Sequence, residues 1–166
     1  MKEYKLSELI KIKNGKDHKS LPDGNYPVFG SGGIMRYANQ YLYDKPSILL
    51  PRKGSLSSIQ FYDKPFWTVD TLFYTEVNEK LVFPYYLYLY LTQLNLSGLD
   101  TGTGVPSMTS SSYYSIKVQL PNIDDQIQKA SLIRKIDDKI ALNRQINDNL
   151  PLPGHSSAME EVRHAA

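Results

Sequence analysis

The stretch that decides the fold is KVQLPNIDDQIQKASLIRKIDDKIALNRQINDNL, residues 117–150, in which the period of the apolar residues changes at Pro121. Before the proline, residues 116–120 alternate apolar and polar side chains, which predicts a half-buried strand. After it, residues 122–150 contain neither glycine nor proline, and their apolar positions recur at helical spacing. Asn122 is a suitable N-cap for this segment. The sequence therefore predicts one long C-terminal helix.

One face of this helix has the spacing of a coiled coil. The residues of this face recur every three or four positions, as in the seam of a heptad repeat. They are Ile133, Ile136, Ile140, Asn143, Asn147 and Leu150. The helix would extend over about 45 Å, which is long for a helix that has no partner face. Asparagine in a seam lowers stability but fixes the register and number of the paired helices. We therefore expect a partner helix along this face; the alternative is a solvated surface helix that frays at its end.

The part of the chain before residue 120 has the pattern of a mixed domain. Short runs of β-forming residues between glycine-containing turns predict strands at 26–29, 47–50, 58–62, 66–69 and 71–74. The apolar run 84–96 begins with proline and has leucines at helical spacing, which predicts a buried helix. Turns and loops are predicted at 13–16, 21–25, 30–33, 51–54 and 98–112.

The predicted fold class is therefore α+β, with a long helix that pairs with a partner helix. The globular domain, residues 1–119, is expected to contain a mixed or antiparallel twisted sheet. The helix occupies residues 120–150. Residues 151–166 carry no pattern, and we expect a disordered or vector-derived tail there.

Composition argues against several classes of protein. The chain has no cysteine, which excludes disulfides and thiolate metal sites. No apolar run approaches the roughly 20 residues that span a bilayer. The N-terminal residues lead into no signal-peptide core, so we expect a cytoplasmic protein. The three histidines, His18, His155 and His164, do not have metal-ligand spacing.

Positive charge is concentrated in the first third of the chain. Residues 11–64 contain nine Lys or Arg and four Asp, an excess of five, whereas the whole chain has a net charge of +2. Such an excess is a candidate phosphate-facing surface, although a solvated basic face without a partner has the same composition.

No catalytic constellation can be assembled from the sequence. The glycine-rich run 30–33 lacks the Lys-Ser/Thr of a phosphate-binding loop and is not followed by a helix pattern. Residues 83–86, Phe-Pro-Tyr-Tyr, lack the acidic or amide residue and the second proline of an amino-methyltransferase motif. We predict a non-catalytic protein that holds no metal; a degenerate nuclease or methyltransferase fragment is the alternative.

The remaining chemistry is that of binding duplex DNA. Cations and hydroxyls bind phosphates, and Arg, Lys and Asn side chains read base edges. Among the candidates, Lys16 and Lys53 are assigned to phosphates, and Asn14 and Arg52 to base edges. The full set of predicted contact residues is Lys13, Asn14, Lys16, Ser31, Arg52, Lys53, Ser55, Thr101 and Thr103.

Taken in order, these landmarks resemble the specificity subunit of type I restriction–modification systems, namely one target-recognition domain with its spacer helix. The resemblance covers residues 4 to about 150. It rests on Lys5-Leu6-Ser7-Glu8-Leu9-Ile10, Asn14-Gly15-Lys16, Tyr26-Pro27-Val28-Phe29-Gly30-Ser31-Gly32-Gly33-Ile34, Tyr37, Arg52-Lys53-Gly54-Ser55, Phe66-Trp67, Asp70-Thr71, Tyr85, Leu87, Gly104-Val105-Pro106, Leu120-Pro121, Gln126 and Ile136-Asp137-Asp138-Lys139-Ile140.

The resemblance implies a non-catalytic DNA reader within a larger assembly. In the family, the spacer helices dock methyltransferase subunits that carry S-adenosylmethionine, and a nuclease–translocase restriction subunit completes the enzyme. Two recognition domains each read one half of an interrupted target, whereas this chain has a single set. We therefore expect a half-subunit that forms a homodimer through its helix, with a gapped palindrome as target. A protein-binding scaffold that uses only the helix is a further alternative.

Overall fold

The computed structural model describes residues 1–54, 56–96 and 107–149, and its fold is α+β. The chain divides into two compact units, residues 1–131 and residues 132–166, and the second is described over 132–149. In chain order the elements are β1 (Lys2–Lys5), α1 (Leu6–Leu9), β2 (Ile10–Asn14), β3 (Asp23–Gly30), β4 (Gly33–Ala38), β5 (Ser47–Pro51), β6 (Gln60–Tyr62), β7 (Trp67–Thr68), β8 (Leu72–Val77), α2 (Pro84–Thr92), α3 (Ser110–Tyr114), β9 (Lys117–Leu120) and α4 (Ile123–Asn149).

Where the structure describes the chain, the strands form three small sheets, and these match the predicted mixed and antiparallel pairing. Strands β2, β8, β5 and β6 form a four-stranded antiparallel sheet in that order. Strand β3 pairs antiparallel with β4 on one side and parallel with β7 on the other. The terminal strands β1 and β9 pair with each other. The predicted α+β class is confirmed.

The main core lies between the four-stranded sheet and helices α1 to α3. Its fully buried members include Leu6, Leu9, Ile48, Leu50, Leu87, Leu91 and Tyr113. A second, aromatic cluster surrounds Phe66, whose ring meets Phe29, Tyr43, Tyr62 and Tyr74 at centroid distances of 6.0–6.2 Å. Burial raises the pKa of Tyr43, Tyr62 and Tyr74. Through their contacts with Phe66, these tyrosines form part of this aromatic cluster.

Most predicted elements are present, with different bounds. The strands predicted at 26–29 and 47–50 are confirmed within β3 and β5, and the buried helix predicted over 84–96 ends at Thr92. The turn predicted at 13–16 is wrong in part, because Lys13 and Asn14 continue β2 and pair with β8. The turn predicted at 21–25 is also partly wrong, since β3 begins at Asp23 and accommodates the irregular residues in a register shift.

Three strands, β1, β2 and β4, and two short helices, α1 and α3, were not predicted. Strands β1 and β4 are mostly exposed, so they lack the alternation that marks a half-buried strand. The loop predicted over 98–112 contains the start of α3, where the Thr109 hydroxyl caps the helix by accepting from the Ser112 amide at 3.1 Å. Residues 98–106 of that predicted loop lie outside the described residues.

Helix α4 begins as the sequence predicts. Asn122 Oδ1 accepts a hydrogen bond from the Asp125 amide at 2.9 Å, which is the geometry of an N-cap. Near its start, Gln126 and Ala130 are buried. No helix among the described residues has the length and hydropathy needed to cross a membrane.

Candidate nucleic-acid interface

Several loops of the first unit surround a cleft of about 560 Å³. The walls come from the loop after β2, from the β3–β4 turn and from the connection between β7 and β8. The lining residues are Asp17, His18, Lys19, Gly30, Ser31, Gly32, Met35, Val69, Asp70 and Thr71. Of the predicted contact residues, Ser31 lines the cleft and Lys16 directly precedes the lining residue Asp17.

Lys16 is held at one wall by its backbone. Its amide donates to the Thr68 carbonyl at 2.9 Å, and its own carbonyl accepts from the Trp67 indole at 3.0 Å. The preceding residue must be glycine, because a Cβ atom at Gly15 would lie 2.0 Å from the Val69 carbonyl oxygen. The exposed ammonium of Lys16 therefore extends from a backbone that is fixed against β7.

Arg52 is held against the β7–β8 connection by its backbone and by its side chain. Its amide donates to the Thr71 carbonyl at 3.0 Å, and its carbonyl accepts from the Met108 amide at 3.0 Å. The guanidinium donates to the Asp70 carbonyl at 3.3 Å and lies 5.9 Å from the centre of the Phe73 ring. A guanidinium has five N–H donors in a planar fork. An exposed side chain fixed in this way can present donors to a flat acceptor pair, such as the major-groove edge of guanine.

Asn14 projects from the same side of the sheet as Arg52. It lies opposite Phe73 in the β2–β8 pairing, and opposed residues of an antiparallel pair share a face. Lys13, one residue earlier, points to the other face by the alternation of a strand. Its ammonium forms an ion pair with Glu76 at 3.4 Å. The structure therefore separates Lys13 from the other predicted contact residues.

Ser31 lies where the β3–β4 turn comes close to the loop after β5. A Cβ atom at Gly54 would lie 3.7 Å from the Ser31 hydroxyl, and Gly54 itself has a φ of +93° that favours glycine. Lys53 is exposed beside it, and its amide is 3.4 Å from the Thr71 carbonyl. Ser31 thus lines the cleft, and Lys16, Arg52 and Lys53 lie next to it through their backbone hydrogen bonds to Thr68 and Thr71. Predicted contacts Ser55, Thr101 and Thr103 lie outside the described residues.

The cleft carries both signs of charge. Lys19, which the sequence analysis did not single out, lies on the wall with Asp17. The Lys19 amide donates to the Asp17 carboxylate at 3.1 Å, and this hydrogen bond lowers the pKa of Asp17 below its ordinary value. The Arg36 guanidinium binds the Asp23 carboxylate and donates to the carbonyls of Leu21 and His18. Across the described ranges 1–54, 56–96 and 107–149, no carboxylate lies within 4.0 Å of the Lys16 or Lys53 ammonium.

Sequence reasoning also missed the apolar residues on the cleft and its margin. Ile34 and Met35 are half-exposed on β4, and Met35 lines the cleft. Their signal was weak, because two adjacent exposed apolar residues do not form an alternating pattern. Where the structure describes the chain, no group of three His, Asp or Glu side chains gathers as a metal ion would require.

The predicted seam of α4 is exposed along residues 132–149. Ile133, Ile136 and Ile140 are 39% to 54% exposed, and Asn143 and Asn147 are exposed as well. Leu132, Leu142 and Ile146 widen this apolar face. Leu150 lies outside the described residues. A face of this kind can receive a second helix.

Comparison with known proteins finds similarity to specificity subunits of type I restriction enzymes. A family model described as the type I restriction modification DNA specificity domain matches residues 1–152. The type I restriction enzyme EcoprrI specificity subunit of Escherichia coli is 25% identical over 140 residues, which cover 80% of this chain and 35% of that protein. A putative type I restriction enzyme specificity subunit of Haemophilus influenzae is 26% identical over 114 residues, covering 66% of this chain and 29% of that protein. The chain thus spans about a third of the length of these curated relatives.

Solved structures share the fold. The S subunit of a type I restriction–modification system from M. genitalium superposes with a TM-score of 0.73 at 20% identity, over 89% of this chain and 43% of that one. The HsdS subunit from Thermoanaerobacter tengcongensis has a TM-score of 0.63 at 14% identity, over 87% and 39% of the two chains. At these identities the likeness concerns the fold.

Proposed function

The chain belongs to the family of type I restriction modification DNA specificity domains, and from this premise we propose that it recognises a specific sequence in double-stranded DNA. It does so as a specificity subunit, or half of one, in the cytoplasm. It supplies recognition and leaves catalysis to its partners.

The observation that carries the proposal is the cation-bearing rim of the cleft. Lys16 comes from the loop after β2, and the adjacent pair Arg52 and Lys53 comes from the loop after β5. Backbone hydrogen bonds to residues 68 and 71 position all three. Lysines at the rim bind phosphates as point charges, whereas the forked guanidinium of Arg52 suits a base edge. Phosphate contacts then set the register of the domain on the duplex, and the base contact supplies sequence information.

The partners follow from the family and from the exposed face of α4. We propose that residues 132–149 pair with the same residues of a second copy, which gives an isologous dimer. Its target is an interrupted palindrome, because two identical readers related by a twofold axis read inverted half-sites. Methyltransferase subunits that carry S-adenosylmethionine dock on the helices, and a restriction subunit completes the assembly. This chain itself needs no cofactor.

Duplex binding at several salt concentrations tests the core of the proposal. Fluorescence anisotropy with a random duplex should give a nonspecific mode that weakens steeply as salt rises. A double variant, Lys16→Ala with Lys53→Ala, should weaken it further, whereas Lys45→Ala with Lys80→Ala removes the same charge from the opposite end of the sheet and should not. If the folded chain shows no salt-sensitive affinity for duplex DNA, alone or with its methyltransferase partner, the proposal is wrong.

The same preparation separates the other two functions considered. Cleavage by the chain alone with a divalent metal, or methylation by the chain alone with the methyl donor, would favour an enzyme fragment. A chain that associates through α4 but ignores duplex DNA would be a protein-binding scaffold. Co-expression with the partner methyltransferase, followed by genome-wide mapping of methylated sites, identifies the target sequence.

A further inference from the structure

The exposed apolar side chains of the first unit are concentrated on one hairpin. Within residues 1–131, as far as the structure describes them, the large exposed hydrophobic residues are Met1, Ile34, Met35, Tyr37, Tyr41 and Ile127. Ile34 is 49% exposed and Met35 is 59% exposed. Apart from the chain start and one position on α4, these residues belong to β4 and the turn that follows it.

The hairpin ends in a narrow tip. Strands β3 and β4 pair down to Gly30 opposite Gly33, so that only Ser31 and Gly32 form the tip. A Cβ atom at Gly32 or Gly33 would meet no other atom within 4 Å, and Gly33 has a φ of +114°. Strand β4 is an edge of its sheet, so one side of the hairpin is uncovered. On the other side β3 pairs with β7 at Val28 and Phe29. The parts of the hairpin that can enter the major groove of B-DNA, which is wide enough for two strands, are therefore the tip and the uncovered β4 side.

The charges around the hairpin indicate which kind of partner it binds. Met35 lines the cleft together with Lys19, and its sulfur lies close over Gly30. The Ser31 hydroxyl at the tip approaches Gly54, next to Lys53 and Arg52. These apolar side chains have cations on either side, and the Asp17 and Asp70 carboxylates line the cleft as well. The cationic flanks match a groove whose floor carries thymine methyl groups and whose walls are phosphates. A protein partner could cover the apolar residues, but it would not need cations on both flanks, so these charges favour duplex DNA.

We infer that the β3–β4 hairpin enters the major groove and that Ile34 and Met35 contact thymine methyl groups, so that they set part of the sequence preference. This inference rests on the proposed function and names the residues that carry it out. The unbranched thioether of Met35 adapts to an irregular apolar surface. An apolar contact with the thymine methyl is one of the recognised ways of reading an A·T pair.

Replacement of thymine by deoxyuridine tests the contact directly, because it removes only the methyl group. On the target found by methylation mapping, the wild-type chain should bind the deoxyuridine duplex about fourfold more weakly for each methyl group that the hairpin buries. The variants Ile34→Ala and Met35→Ala should bind the thymine duplex more weakly and should no longer distinguish the two duplexes. Ile127→Ala, which truncates a similarly exposed apolar side chain elsewhere, should retain the full discrimination.

A cross-linking experiment tests the position of the hairpin independently. The chain has no cysteine, and Gly32 has open space around it, so Gly32→Cys provides a unique thiol for a photoreactive label. It should cross-link to bases of the bound duplex. The control Glu79→Cys lies beyond the Val77 end of β8, roughly 20 Å from the cleft at the rise of a strand, and should not.

The possible failures can be told apart. Salt-sensitive duplex binding with equal affinity for thymine and deoxyuridine overturns the thymine contact and leaves the proposed function intact. Absence of cross-links from position 32 in a bound complex overturns the placement of the hairpin. Absence of any duplex binding removes the proposed function and this inference with it.

Discussion

The Tyr113 hydroxyl donates a hydrogen bond to the Pro51 carbonyl across 2.7 Å, which ties helix α3 to the residue before Arg52. Tyr113 is fully buried, and its ring meets the Phe73 ring edge-on at a centroid distance of 6.3 Å. Phe73 in turn lies beneath the Arg52 guanidinium. One buried tyrosine therefore supports both the backbone and the side-chain environment of the candidate base reader.

Tyr113→Phe should destabilise the fold by about 1 kcal/mol, because it removes this hydrogen bond and keeps the ring. Urea unfolding monitored by circular dichroism measures the change. Tyr41→Phe, which removes the hydroxyl of a half-exposed tyrosine, should have little effect. Equal stabilities of the two variants would show that the Pro51 hydrogen bond contributes nothing.

The same variant should alter the stability at alkaline pH. Burial raises the pKa of the Tyr113 phenol above its ordinary value of 10.0. The unfolded chain therefore releases this proton at a lower pH than the folded chain does. The stability that the protonated phenol contributes is complete below pH 10 and is lost as pH rises towards the pKa of the folded state. The wild-type free energy of unfolding should fall by up to ~1.4 kcal/mol per pH unit from this group, and Tyr113→Phe should show a shallower decline. Identical slopes would contradict the assignment.

Gln126 should be the side chain of α4 on which stability depends most. It is buried, and its amide accepts from the Phe83 amide at 2.9 Å and donates to the Pro121 carbonyl at 3.0 Å. Gln126→Met keeps the volume and leaves these backbone groups without their partner, at a cost of roughly 2 kcal/mol. The exposed Gln128→Met on the same helix serves as the control. A thermal melt in which both variants match the wild type would show that the buried amide is dispensable.

Lys53 is expected to act on phosphates. Lys53→Ala should weaken binding to all duplexes by a similar factor and flatten the plot of log affinity against log salt by about one unit. The exposed Lys80, which follows β8 at the other end of the sheet, supplies a control of equal charge. Sequence-dependent losses with an unchanged salt slope would instead place Lys53 at a base edge.

Arg52 is expected to act on a base edge. Arg52→Ala should cost about 1–3 kcal/mol at one position of the target and relax the preference there. Arg52→Lys keeps the charge but loses the planar fork, so it should restore affinity without restoring discrimination. Competition with a set of single-base target variants measures both quantities. If Arg52→Ala leaves affinity and preference unchanged, the assignment is wrong.

The apolar face of α4 is expected to mediate self-association. Ile140→Glu places a charge within the seam and should yield monomers, whereas Gln145→Glu adds the same charge outside the seam and should not. Sedimentation at tens of micromolar distinguishes the two. A wild-type chain that is monomeric under these conditions, with its helix intact by circular dichroism, would rule out pairing between copies.

Part of this protein could be predicted because it depends on local pattern. The period change at Pro121 predicts the strand before it and the helix after it, and the structure has both. The N-cap at Asn122 follows from chemistry within one helical turn. Exposed edge strands such as β4 could not be found in this way, since only Ala38 of this strand is buried and no alternating apolar pattern results.

What the sequence by itself determined is the supply of cations, hydroxyls and glycines in the first third of the chain and the apolar seam of the last helix. Only the tertiary structure decided which of those cationic side chains lie close together. Lys13 and Asn14 are neighbours in sequence, yet pairing with β8 sends one to Glu76 and the other towards Phe73 and Arg52. Ser31 and Gly54 are distant in sequence, yet the sheets bring them close together. The physical reason is that strand register, which is set by long-range pairing and core packing, determines the face to which each side chain points.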